Sequence, residues 1–197
     1  MKNKNVRVIT GTAVLTAVAF GLQFIEVSIP IMPSFIKLDF SDLPALIGAF
    51  AYGPLAGVLI QLLKNVIHLP LSSSMFIGEL SNFVLGATFV LTAGLIYKHK
   101  KTKKNAFLAG VMGALAMGII CFPLNNFVIY PLYYSVLGLP EPAVLGMYQV
   151  LLPSVKNIPQ ALLIFNVPFT FVKGMISVVV SILIYKPISP LLKGKEQ

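Results

Sequence analysis

Residues 37–86 read KLDFSDLPALIGAFAYGPLAGVLIQLLKNVIHLPLSSSMFIGELSNFVLG. The stretch is apolar enough for a membrane, yet it carries Lys37, Asp39, Asp42, Lys64, His68 and Glu79. Two of its apolar runs, 42–51 and 54–68, hold only about 10–15 residues, short of the roughly 20 a helix needs to cross a hydrocarbon core. Tyr52-Gly53-Pro54 joins them, and Pro54 suits the first turn of a helix. The reading is a hairpin of two short helices, which has to tilt or leave a cavity. Ionisable groups among such segments cost several kcal/mol unless paired, which makes them functional candidates.

The surrounding chain fits that reading. It has 197 residues, enough for one domain spanning 1–197. Hydrophobic residues make up 57% and charged residues 11%, against roughly 45–50% and about 25% in soluble chains. Mean hydropathy is +0.88. With the bilayer as solvent, spans satisfy their backbone as helices, and the continuous apolar runs do not alternate as barrel strands would. The net charge of +9 does not point to nucleic acid, because the cations cluster between apolar runs and read as topology signals. A single cysteine, Cys121, excludes an intrachain disulfide and reads as packing. The first apolar run is longer than the roughly 7–15-residue core of a signal peptide, so it is a retained helix.

Helices are expected over 6–27, 42–51, 54–68, 75–97, 105–130 and 160–185. Pro30 and Pro33 break the segment 28–41, which becomes an ordered cap with Asp39 or Ser41 starting the next helix. Pro123 is a possible break in the fifth helix. The Pro-rich connection 131–159 holds no span, only a candidate short surface helix in AVLGMYQVLL. Six helices put both termini on one side. Lys2, Lys4, Arg7, Lys98, Lys100, Lys101, Lys103, Lys104, Lys186, Lys193 and Lys195 then share that side, eleven of the fifteen cations, which makes it the cytoplasm. The expected fold is an all-α integral membrane protein, a six-transmembrane-helix bundle with both termini cytoplasmic. There is no internal repeat of the kind inverted-repeat transporters carry. On the first helix, Ala13 and Ala17 form a small-xxx-small pattern extended by Gly21, suited either to internal packing or to docking another membrane subunit.

Polar residues recur at one depth on four helices. Glu79 and Asn82 are three apart; Asn166, Thr170 and Lys173 fall at i, i+4 and i+7; Asn125 and Asn126 follow Pro123; Lys64, Asn65 and His68 lie within about one turn. Together they read as the lining of a pocket open to the outside. Plainer roles are also open. Lys173 can pair with Glu79, the asparagines can bridge helices, His68 can sit at the surface, Lys64 can snorkel outward, and Asp42 can cap its helix, with Asp39 as cap and lid. The chain has no Walker A motif, no HExxH, no GxSxG and no His–carboxylate cluster. This argues against an enzyme, a metal site and a resident cofactor. A planar, uncharged, hydrogen-bonding ligand fits, with Phe40, Phe83, Phe127, Tyr130 and Phe165 available to its ring.

KLDFSDLPALIGAFAYGPLAGVLIQLLKN (37–65), GELSNF (78–83) and NVPFTFVKG (166–174) resemble the riboflavin-binding S component of energy-coupling factor (ECF) transporters, and the likeness covers nearly the whole chain. The resemblance implies the S-component fold and high-affinity capture of riboflavin from outside a prokaryotic cell membrane. It implies assembly with a membrane T component and two ATPases that consume the ATP. Ala13 and Ala17 would contact the T component. Lys37, Leu38, Asp39 and Phe40 would cover the ligand. Asn125 or Asn126, with Thr170 and Lys173, would hydrogen-bond it, and Glu79 and Asn82 would complete a polar wall. The family often has asparagine where this chain has Thr170, and Asn166 could substitute from one turn away. The rival readings are an S component for another vitamin or FMN, and a stand-alone ion-coupled secondary transporter.

Overall fold

The computed structural model describes residues 2–193, with side chains placed over 5–185. Among the expected cytoplasmic cations, the side chains of Lys2, Lys4, Lys186, Lys193 and Lys195 lie outside the described residues. The first helix, α1, is Lys2–Gln23. Two short strands follow, β1 (Val27–Ser28) and β2 (Lys37–Leu38), antiparallel with Val27 opposite Leu38 and Ser28 opposite Lys37. Pro30 and Pro33 fall between them, so the break they impose becomes the loop of a hairpin strap.

The next helices, α2 (Asp42–Tyr52) and α3 (Pro54–His68), start where the sequence puts them. Gly53 turns the corner at φ 109, a conformation that L side chains rarely adopt. Helix α4 is Ile77–His99, not 75–97. Its start is delayed because Met75 and Phe76 are left-handed, at φ 48 and 71. Helix α5 (Lys103–Leu124) begins with Thr102 accepting a hydrogen bond from the Asn105 N–H at 3.2 Å. Pro123 does not end it. A wider π-helical turn, Asn125–Ile129, lies just beyond and leads straight into α6 (Tyr130–Val136). The connection holds α7 (Glu141–Leu151). The last span is α8 (Ile158–Ala161), a second π turn (Leu162–Asn166) and α9 (Val167–Lys193).

Among the described residues, five stretches are long and apolar enough to cross a membrane: Asn5–Gln23, Pro54–Leu71, Ile77–His99, Lys103–Val136 and Ile158–Tyr185. The sixth expected crossing, Asp42–Tyr52, is apolar but short. That helix is nonetheless the centre of the bundle, with Ala45, Leu46 and Ile47 buried against Ile60, Phe89 and Val90. A second buried cluster joins Tyr130, Val144, Tyr148, Ile158 and Leu162 at the α6–α7–α8 end. On α1, Thr12, Leu15, Thr16 and Ala19 face the interior. Ala13, Ala17 and Gly21 are exposed, so this small-residue stripe does not pack the bundle.

Close backbone approach holds the short hairpin together. A Cβ on Gly57 would stand 2.7 Å from Ala49 Cβ and 2.9 Å from the Ala45 carbonyl oxygen. Gly57→Val should therefore destabilise the protein by roughly 1–3 kcal/mol through overpacking. Thermal unfolding in detergent reads this directly, and a variant as stable as its parent would mean that α2 and α3 are free to part.

Candidate functional site

A cavity of about 160 Å³ lies under the strap between α4, α5, α6 and α9. Phe35, Lys37 and Asp39 line it from the strap, Ser81 and Asn82 from α4, and Met117 and Cys121 from α5. The first π turn adds Asn125 and Ile129, and α6 adds Tyr130 and Tyr133. The last span contributes Asn166, Phe169, Thr170 and Lys173. The spacing of these last four follows from the helix, which turns positions i, i+3, i+4 and i+7 to one face.

Beneath the cavity sits a buried charge quartet. Lys173 Nζ donates to Asp39 Oδ2 at 2.8 Å and lies 3.4 Å from Asp42 Oδ2. Lys64 is 0% exposed; it donates to Asp42 Oδ1 at 3.0 Å and also to Ser41 Oγ. The Ser41 hydroxyl in turn donates to Asp39 Oδ1, which also accepts the Ser41 N–H at 2.8 Å. Gln61 Nε2 donates to Asp42 Oδ1 at 2.8 Å, and Asn82 Nδ2 reaches Asp39 Oδ2 at 3.4 Å. Two positive and two negative groups thus balance: Lys64 and Asp42 are shut away from solvent, Asp39 and Lys173 border the cavity, and amides and a hydroxyl share the hydrogen bonds, while Asp42 Oδ2 faces the Lys173 ammonium without a hydrogen bond among the described residues.

Two smaller polar nodes hold the cavity wall. Cys121 Sγ contacts Thr170 Oγ1 at 3.2 Å and accepts from Asn125 Nδ2 at 3.3 Å. The thiol therefore bridges two wall residues and is more than the packing the sequence suggested. At the other end, Tyr148 Oη donates to Asn166 Oδ1 at 2.6 Å, Asn166 Nδ2 donates to Tyr130 Oη at 3.2 Å, and Tyr130 and Tyr148 share a hydrogen bond. Burial pushes the Tyr148 phenol above its ordinary pKa, so its hydrogen stays in place.

Of the residues the sequence singles out, Asp39, Asn82, Asn125, Asn166, Thr170 and Lys173 are brought together on the cavity wall. Leu38, Phe40, Glu79 and Asn126 do not line it. Lys37 and Asp39 face the space, and alternation along an extended segment turns Leu38 and Phe40 away. Asn126 is turned off the wall by its place one residue after Asn125 on the π turn. Glu79 belongs to a different network: it bonds His68 Nδ1 at 2.8 Å and accepts from Ser72 Oγ at 2.7 Å and Ser74 Oγ at 3.3 Å. The alternative pairing of Lys173 with Glu79 is not adopted: Lys173 pairs with Asp39 and Glu79 with His68, and His68 is only part-exposed.

Three further roles that the sequence leaves open are not taken up, for one reason. Lys64 does not snorkel, Asp42 makes no capping bond, and Ser41 caps nothing with its side chain, because all three are drawn into the quartet. Among the ring candidates only Tyr130 lines the cavity; Phe127 is 71% exposed on the outer face, and Phe83 lines a separate apolar groove. Phe35 and Tyr133, which the sequence reading passed over, take their place. Phe35 stands 6.0 Å from the Tyr133 ring centre and 6.5 Å from that of Tyr130.

A helical bundle with a strap-covered cavity and amides on its wall, and with no metal-binding group of His, Cys, Asp or Glu among the described residues, is built to hold a solute. The chain belongs to the ECF transporter substrate-specific components: the model of that family matches residues 7–185. It is accordingly a multi-pass protein of the bacterial cell membrane and a transporter component, not an enzyme. It is 35% identical over 190 residues to the riboflavin transporter RibU of Staphylococcus aureus strain TCH60, covering 96% of this chain and 94% of that one. It is 29% identical over 196 residues to the riboflavin transporter FmnP of Bacillus subtilis strain 168, covering 98% and 96%. The fold matches a solved S component of a bacterial ECF transporter with a TM-score of 0.74 at 33% identity, over 98% of this chain and 99% of that chain.

The quartet makes a sharp prediction. Lys64→Met strands Asp42 beside Lys173 and should cost about 3–5 kcal/mol of stability, whereas Lys64→Met with Asp42→Leu removes one balanced pair and should recover most of it. Thermal unfolding of the two variants in detergent checks this. A single variant as stable as the parent would remove the ion pair from the account.

Proposed function

We propose that this chain is the riboflavin-capturing subunit of an ATP-driven ECF transporter. It forms one membrane-embedded domain over 1–197. The riboflavin reading is carried by the joint occurrence of the amide-lined cavity and whole-length similarity to riboflavin transporters. Asp39, Asn82, Asn125, Asn166, Thr170 and Lys173 hold the vitamin through its polar edge, and Phe35, Tyr130 and Tyr133 lie against its rings. A specific observation supports Asn82: its Oδ1 is buried with no hydrogen-bond partner among the described residues, an acceptor suited to a ligand N–H or O–H. Neither a metal nor a resident cofactor enters this account.

The short helix α2 counts as the sixth crossing, so both termini lie in the cytoplasm, as eleven of the fifteen cations favour. The strap and the α6–α8 connection then lie outside, where vitamin arrives. A T component docks on the exposed Ala13–Ala17–Gly21 stripe, where small side chains permit close helix approach. Two ATPases supply the energy, since this chain has no P-loop of its own.

The purified chain should be yellow and release riboflavin on denaturation, and Lys173→Ala should weaken riboflavin binding by about tenfold or more. Release of FMN or another vitamin instead would overturn the choice of ligand; unchanged affinity in a folded Lys173→Ala protein would remove Lys173 from the site. Leu at both Ala13 and Ala17 should leave riboflavin binding intact and abolish uptake by the assembled transporter. Uptake at the parental rate would refute the docking role.

A further inference from the structure

We propose that Tyr148, on α7 and behind the cavity wall, is a positioning residue that fixes the carboxamide of Asn166 for ligand binding; the inference rests on the riboflavin reading above. Tyr148 is 0% exposed and does not line the cavity, whereas Asn166 and Tyr130 do. The three groups close a triangle of hydrogen bonds. Tyr148 Oη donates to Asn166 Oδ1 at 2.6 Å, and Asn166 Nδ2 donates to Tyr130 Oη at 3.2 Å. Since the Tyr148 hydrogen is already spent, the Tyr130 hydroxyl donates to Tyr148. Each member gives one hydrogen and accepts one.

Both ends of the Asn166 side-chain amide are therefore clamped. What the amide retains is its second N–H and a spare lone pair on Oδ1. Thr170, one turn along the same face, has its hydroxyl shared with Cys121 at 3.2 Å. Asn166 keeps an N–H donor whichever way the Thr170–Cys121 hydrogen bond runs. The last torsion of an asparagine side chain is broad, so the amide has no strong orientation of its own. Without the Tyr148 hydroxyl it loses the partner at Oδ1, and a ligand has to order it on binding. Tyr148 is itself wedged between the rings of Phe165 and Phe35, at 5.4 and 6.3 Å between centres. Its hydroxyl is therefore held by the packing of α7 against the last span and the strap.

The test is riboflavin titration of the purified full-length chain in detergent, read by quenching of flavin fluorescence, for the wild type, Tyr148→Phe, Asn166→Ala and the double variant. Tyr148→Phe should bind about tenfold more weakly, the scale of one oriented hydrogen bond. The double variant should bind no more weakly than Asn166→Ala alone, because Tyr148 acts through Asn166. The visible absorption bands of the bound flavin should shift alike in Tyr148→Phe and Asn166→Ala, which a loss of general packing would not produce. Wild-type affinity in Tyr148→Phe, or losses that add in the double variant, overturns the proposal. Should Tyr148→Phe fail to fold, Tyr130→Phe opens the same triangle and should show the same coupling to Asn166→Ala; additive losses there also overturn it. A wild-type chain that binds no riboflavin overturns the riboflavin reading itself, and is distinguished from the other outcomes by that alone.

Discussion

Two aspartates and two lysines share one interior volume, and neither sign can leave without stranding the other. Charge in such surroundings is tolerated only when it is balanced and hydrogen-bonded. That constraint ties together parts of the chain that have no other reason to meet: the end of the strap at Asp39, the first turn of α2 at Asp42, the middle of α3 at Lys64 and the last span at Lys173. The short helix α2 can be central because its one carboxylate is neutralised from two sides. The strap can roof the cavity because its own carboxylate is held from below by Lys173 and from within by Ser41.

From that anchor the cavity wall is built by irregular helix. Two of the three spans that supply carboxamides contain a π turn, Asn125–Ile129 in one and Leu162–Asn166 in the other, while Asn82 stands on the regular helix α4. Wider turns of this kind are frequent at functional sites because they rotate one residue off the regular helical face. Here Asn125 opens one and Asn166 closes the other, and both line the cavity. The amides are then pinned, Asn125 by Cys121 one turn earlier in its own span and Asn166 by Tyr130 and Tyr148 on α6 and α7.

Much of this was legible in the sequence, and the boundary is physical. Gly53 and Pro54 marked the hairpin corner because backbone rules act locally. The i, i+4, i+7 spacing placed Asn166, Thr170 and Lys173 on one face for the same reason. Pairing was not legible. Lys173 and Asp39 are 134 residues apart, and spacing alone equally allowed Glu79. Glu79 was instead claimed by the serines just before its own helix, at Ser72 and Ser74, together with His68. The direction of Lys64 depended on where Asp42 pointed, and Asp42 looked like an ordinary first-turn acid. Tyr148 went unnoticed because it lies in a connection with no span, and only the folded chain brings α7 behind Asn166.

The brevity of α2 has a consequence for the depth it does not span. Eleven residues rise about 16 Å, against a hydrocarbon layer of about 30 Å. Every residue of α2 is buried or half-buried, so lipid meets the longer helices around it and not α2 itself. The depth beyond its Asp42 end falls to the strap, whose Asp39 is tied to Lys173 on the last span. A shortened central helix thus turns bilayer depth into interior volume.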